Sequence, residues 1–280
     1  MRFILPVLAV LASPAMAGVS QVMTDIPPVQ ALAAQVMGTL GTPGMFLDKG
    51  GDEHELHLRP SQMRALAGAG LVVWVGPELT PGLADALAAA GVPALELLDQ
   101  PATRRIDYAS GGVNPHAWLD PVNAKVWTGL IAERLVALDP GNAATYRANA
   151  VAAIKGLDAL NAQIAAELAP VADKPFLGWH DAYAYFAKAY FLSYLGGLSE
   201  GDAAPPGAAR LSEVAALVAR GGVACAFPEA QHDPAMIAAL GPVKLGAALD
   251  PVGSLQDPGP DAYARLLQAL AKGLTDCLAP

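Results

Sequence analysis

Short apolar runs alternate with longer stretches of helical periodicity along the chain. Val19 to Met23 is a short, mostly apolar run that closes at Thr24-Asp25 and Pro27-Pro28, and Val29 to Met37 then carries apolar residues at three- and four-residue spacing. A strand is predicted to lead into a helix there. The alternation returns at Gly44 to Leu47, at Leu71-Val72-Val73-Trp74-Val75 closed by Gly76-Pro77, and at Pro93-Ala94-Leu95-Glu96-Leu97, with Ala-rich helical stretches between. Such alternation predicts a parallel sheet covered by helices.

A helix is predicted from Asp120-Pro121 to Leu138, and after Asp139-Pro140-Gly141 a longer one over Asn142 to Leu168. Ala150, Ile154, Leu157, Leu160, Ile164 and Leu168 recur at helical spacing, so one face of that rod is apolar throughout. At 1.5 Å per residue it spans about 40 Å, enough to run from one lobe into another. Pro175 to Trp179 opens a second series of strands, continued at Phe191 to Tyr194, Val223 to Phe227 and Val243 to Leu249. Gly196 to Gly207, rich in Gly, Ala and Pro, is predicted to be an exposed loop. The pattern as a whole predicts an α/β protein with two parallel-sheet units.

Residues 1–17 have the pattern of an export signal: Arg2, an apolar run from Phe3 to Leu11, and a small-residue cleavage site at Ala15-Met16-Ala17. The apolar run is far shorter than the roughly 20 residues a membrane-spanning helix needs, so no stable membrane insertion is expected. No Cys stands at the cleavage point to take a lipid, and a soluble periplasmic protein is the expectation. The formal net charge is −9 with no basic cluster, which makes nucleic acid a poor partner. Cys225 and Cys277 are the two cysteines; in an exported chain they suit a disulfide, with two buried thiols as the alternative.

Of five histidines, three sit at strand ends or loop-to-helix junctions, where α/β sheets place ligands: His54, His116 and His180. A single such histidine decides nothing, but their surroundings are distinctive. Asp52-Glu53-His54-Glu55-Leu56-His57-Leu58-Arg59-Pro60-Ser61, Leu71 to Glu78, Asn114-Pro115-His116-Ala117-Trp118-Leu119-Asp120-Pro121 and Trp179-His180-Asp181-Ala182-Tyr183-Ala184-Tyr185-Phe186 follow one another in order. Each resembles a signature of the zinc- and manganese-binding proteins of bacterial ABC importers, the cluster A-I or ZnuA-like family. Cys225 to Gln231 and Leu249-Asp250-Pro251-Val252-Gly253 resemble that family's late segments.

The resemblance implies two α/β lobes joined by one long rigid helix, with a metal held between them by His54, His116 and His180. It divides the chain into a signal over 1–17, an N-terminal metal-binding lobe over 18–139, a linking helix over 140–169 and a C-terminal metal-binding lobe over 170–280. It also implies a bridge between Cys225 and Cys277. Zinc is the expected ion, because Zn²⁺ takes tetrahedral imidazole ligation whereas manganese favours oxygen-rich sets, and manganese-importing relatives place Glu where this chain has His180. The family's fourth ligand corresponds to Glu53 or Asp250, with water as a third choice. Asp250 is equally suited to capping the turn before Pro251. Asp181 is placed either to orient an imidazole or to cap the following helix. His57 and His232 match no ligand position and are expected at the surface, while Trp118, Trp179, Tyr183 and Tyr185 are expected to pack around the site and exclude water.

The expected partners are zinc and an inner-membrane ABC permease, with the chain acting as a monomer. Leu98 to Val113 contains no His, so the His-rich capture loop of many zinc-binding members is missing. A manganese-binding importer protein, a metal-dependent adhesin and a zinc hydrolase are the competing functions. The hydrolase lacks a His-Glu-x-x-His motif and a phosphate loop.

Overall fold

The computed structural model describes residues 21–200 and 206–279; the export signal expected over 1–17 lies outside them. The N-terminal half runs β1 (Val22–Thr24), α1 (Pro27–Met37), β2 (Gly44–Met45), α2 (Pro60–Ala67), β3 (Leu71–Trp74), α3 (Pro81–Ala90) and β4 (Ala94–Glu96). Its four strands are parallel in the order β2-β1-β3-β4. Every residue of β1 and β3 is buried, as expected of inner strands covered by helices on both faces. Proline starts α1, α2 and α3, where its missing N–H costs nothing and its fixed φ favours the first turn.

Next come α4 (Pro121–Leu138) and the 26-residue α5 (Ala143–Leu168). The chain then continues through β5 (Phe176–His180), α6 (Ala184–Ala189), β6 (Tyr194–Ser199), α7 (Ala208–Ala219), β7 (Cys225–Ala226), α8 (Ala235–Ala238) and α9 (Ala262–Leu278). The second sheet is also parallel, ordered β6-β5-β7. The result is the predicted α/β architecture, two parallel sheets connected by a long helix. Helix α5 packs against α1, α4 and α9, and α9 also rests on α1. The main core therefore runs from the first sheet through these helices to Phe176 and Phe227 of the second half. A smaller cluster around Leu177, Leu198, Val214 and Ile237 fills the outer side of the second sheet. Cys225 and Cys277 are disulfide-bonded and fasten β7 to the last turn of α9. Among the described residues no helix is long and apolar enough to cross a membrane.

The second half departs from the predicted pattern in two places. Phe191 to Tyr194 is not a strand: Phe191 has φ 55° and is 88% exposed, and β6 begins at Tyr194. Gly196 to Ser199, predicted as exposed loop, forms the body of β6 with Leu198 fully buried; residues 201–205 of that loop lie outside the described residues. Glycine is required here by close approach, since a Cβ on Gly197 would overlap the His180 carbonyl carbon and come within 2.6 Å of its Cα. The Val243 to Leu249 run contributes only isolated bridges, Leu245 to Ala226 and Leu249 to Glu229.

Asp25, at the end of β1, is fully buried and accepts backbone N–H groups from Ile26 at 2.8 Å and Val75 at 2.7 Å. Burial pushes its carboxyl up to about 7 against those donors. The folded state thus binds the proton more tightly than the unfolded chain, so Asp25 contributes stability that is complete below about pH 4 and lost as pH rises to 7. In urea titrations of the metal-free protein, wild type is expected to gain on the order of 4 kcal/mol relative to Asp25→Asn between pH 8 and pH 4. A difference that does not change with pH would contradict this.

Candidate metal centre

The loop carrying His54 leaves β2 and ends where α2 begins. Gln62 locks that junction: its Oε1 accepts from Arg59 N at 2.8 Å and its Nε2 donates to Phe46 O at 2.6 Å. Within the loop His54 N donates to Asp52 Oδ1 at 2.8 Å, and Gly50 N reaches across to Ser254 O at 2.9 Å. His116 precedes α4, whose first turn is capped by Asp120 accepting from Val122 N at 2.8 Å. The neighbouring Trp118 is buried, donates from Nε1 to Pro251 O at 2.9 Å, and accepts at its carbonyl from the Tyr263 hydroxyl at 2.8 Å. His180 is the last residue of β5, buried between β6 and the loop after β7.

These elements bring the three predicted histidines together. His116 Nε2 lies 3.2 Å from His54 Nε2 and 2.9 Å from His180 Nε2. Tetrahedral zinc with bonds of 2.0 to 2.1 Å separates its ligand nitrogens by about 3.3 Å, so the spacing already approximates a coordination sphere.

Hydrogen bonds on the far side of two rings settle which nitrogen faces inward. Asn114 Oδ1 accepts from the His116 backbone N–H at 3.0 Å, and Asn114 Nδ2 donates to Asp181 O at 2.6 Å. Those partners fix the orientation of the amide, so the contact between Asn114 Oδ1 and His116 Nδ1, 2.8 Å long, has the imidazole as donor. His180 Nδ1 likewise meets Glu229 Oε2 at 2.6 Å, with both side chains sealed from solvent. The Nε2 atoms of the two rings therefore face each other across 2.9 Å, while each Nδ1 is taken up by its own partner. Nitrogens at that distance share either a proton or a metal ion, and a hydrogen-bonded partner behind a ligating imidazole is a recurrent feature of metal sites.

The candidate fourth ligands differ. Asp250 holds a turn: its Oδ1 accepts from Gly253 N at 2.8 Å and Ser254 N at 3.2 Å, and its Oδ2 from Leu255 N at 3.0 Å. Glu53 is buried next to His54 at 2% exposure. Asp181 does not take the Nδ1 of His180, which belongs to Glu229, and α6 begins after Tyr183 with no side-chain cap. Burial pushes its carboxyl up to about 6, opposed by a hydrogen bond from Tyr194. Trp118, Trp179, Tyr183 and Tyr185 are all buried, and Tyr185 Oη joins two loop segments by accepting from Ile106 N and donating to Asn114 O, both at 2.8 Å. His57 is exposed. His232, expected at the surface, is instead mostly covered: its side chain is 18% exposed and stacks on Trp179 with ring centroids 5.1 Å apart.

The family model for the periplasmic zinc-uptake complex component A matches residues 22–277. The chain belongs to this family. A high-affinity zinc uptake system protein ZnuA from Paracoccus denitrificans is 43% identical over 95% of this chain and 94% of its own length. Among solved structures, a zinc-bound ZnuA deletion mutant has a TM-score of 0.81 at 24% identity, covering 94% of this chain and 99% of that one. The periplasmic zinc-binding protein TroA from Treponema pallidum has a TM-score of 0.85 at 20% identity, covering 94% and 100%. At those identities the two structures establish the fold. Members of the family are transport components rather than enzymes.

Asn114 and Glu229 were visible in the sequence as members of motifs, but their task behind the rings was not. Glu229→Gln is expected to weaken zinc binding by about 10- to 100-fold, because the carboxylate that raises the basicity of His180 is lost while the shape is kept. Competition against a chromophoric chelator measures this, and an unchanged affinity would remove Glu229 from the site.

Proposed function

We propose that this chain is the zinc-capturing subunit of an ABC importer, holding one Zn²⁺ through the Nε2 atoms of His54, His116 and His180. The observation that carries the proposal is the convergence of the three Nε2 atoms, with His116 and His180 2.9 Å apart and the Nδ1 of each of these rings hydrogen-bonded on its far side. Three neutral nitrogens in this arrangement suit zinc better than manganese. Among the described residues neither Glu53 nor Asp250 joins the three-histidine group, and the Asp250 oxygens already serve backbone donors, so the fourth position stays open to Glu53 or water.

Export through residues 1–17 then delivers the chain to the periplasm, where it works as a monomer and hands zinc to an inner-membrane permease. The lobe division at 139/140 and 169/170 belongs to the same proposal, and it is supported by α5 leading from the helices of the first sheet into β5. The test is metal content and competitive binding with zinc and manganese in parallel. One tightly held zinc per chain is expected, with manganese displaced by equimolar zinc; a preference for manganese, or no bound metal, would overturn the proposal.

A further inference from the structure

Behind the three-histidine centre lies a second group of ligand atoms. His180 Nδ1, Glu229 Oε2 and His232 Nε2 all lie within 4.8 Å of one another. Glu229 Oε2 is the middle atom, 2.6 Å from His180 Nδ1 and 3.8 Å from His232 Nε2. Two nitrogens and a carboxylate oxygen form a donor set that zinc accepts, and an ion entering here replaces the hydrogen bond between His180 and Glu229. The two groups share one ring, which presents Nε2 to the inner group and Nδ1 to the outer one. Each group keeps one partly exposed member, His54 in the inner and His232 in the outer; His180 and Glu229 are sealed, while His232 keeps 18% of its side chain exposed. Its ring is held against Trp179 at an interplanar angle of 16°, so it is positioned rather than trailing in solvent.

We infer that His232, Glu229 and the Nδ1 face of His180 form an outer zinc station that receives the ion before it settles in the inner site. The inference rests on the three-histidine reading of the inner centre. While zinc sits outside, His180 carries its proton on Nε2; once zinc has moved inside, the proton sits on Nδ1 and is donated to Glu229. One ring cannot serve both positions in its neutral form, so the two stations are occupied in turn. In a chain whose 98–113 segment has no histidine, His232 supplies an imidazole through which solvent zinc is first engaged.

The test uses two measurements on the mature protein. Stopped-flow uptake of zinc from a chromophoric chelator should slow by about tenfold in His232→Ala. His232→Phe, which keeps a ring against Trp179 and loses the donor atom, should slow it equally. In a His54→Ala background, where the inner site is broken, the residual zinc affinity should fall a further tenfold or so when His232→Ala is added. Unchanged capture and unchanged residual affinity would overturn the outer station, as would a defect in the alanine variant that phenylalanine restores. Wild-type protein that takes up no zinc would overturn the inner site together with the outer one, whereas normal tight binding with no dependence on His232 would overturn the outer station alone.

Discussion

His116→Ala is expected to lower zinc affinity by at least about 100-fold. A four-ligand zinc site is worth about 10 to 16 kcal/mol, so one ligand accounts for roughly 3 kcal/mol, and each 1.4 kcal/mol is a factor of ten. His116 is the residue to change because its Nε2 is the shared neighbour of the other two, 3.2 Å from His54 and 2.9 Å from His180. Removing it also strands Asn114, whose Oδ1 loses the imidazole donor 2.8 Å away. His57→Ala is the matched control, since His57 is exposed and its Nδ1 lies 2.8 Å from Glu55 O. Chelator competition on both variants measures the effect. Zinc held by His116→Ala as tightly as by wild type would remove the three-histidine centre.

The second large effect concerns stability. Replacing both Cys225 and Cys277 by Ala opens a covalent loop with a sequence separation of 52. The chain-entropy treatment assigns such a loop about 4 kcal/mol, which for a protein of this size lowers the thermal midpoint by about 10 °C. Thermal unfolding of the metal-free protein under non-reducing conditions measures it. Both sulfurs are buried in the main core, and the double replacement also leaves a small void, so the loss should be no less than the entropic figure. A midpoint shift under about 2 °C would mean that the surrounding core holds α9 in place without the bond.

Much of the fold was legible because burial on both faces leaves a plain signal. Leu71 to Val75 is unbroken apolar sequence because β3 is covered on both sides, and the apolar stripe of α5 reads at helical spacing because it packs on α1, α4 and α9. Short polar or glycine-bearing strands were illegible for the opposite reason. Gly196 and Gly197 look like loop residues, yet Gly197 is glycine because the His180 backbone passes too close for a Cβ. The metal centre followed a similar division. The histidines were found through the segments around them, since a ligand at a strand end carries neighbours of a recognisable kind. The groups behind the rings were not found, because Glu229 lies 49 positions from His180 and only the pairing of β7 with β5 brings them together. The roles of Asp250 and Asp181 were undecided for the same reason: a short carboxylate in a turn serves metal, backbone or neighbour according to distances that spacing does not encode.

Helix α9 lies against α1 and α5 while Cys277 in its last turn is bonded to β7. The two sheets are therefore braced by a pair of struts, one carrying the chain outward and the other bringing it home. A frame braced in this way resists opening like a book and retains a small torsion as its softest movement. For the zinc site proposed above, such a frame predicts a socket of nearly constant volume, its size set before the ion arrives. Discrimination among ions then lies in bond length and ligand hardness rather than in how far the jaws travel. On the same proposal the empty and filled proteins should present closely similar outlines to whatever receives the cargo.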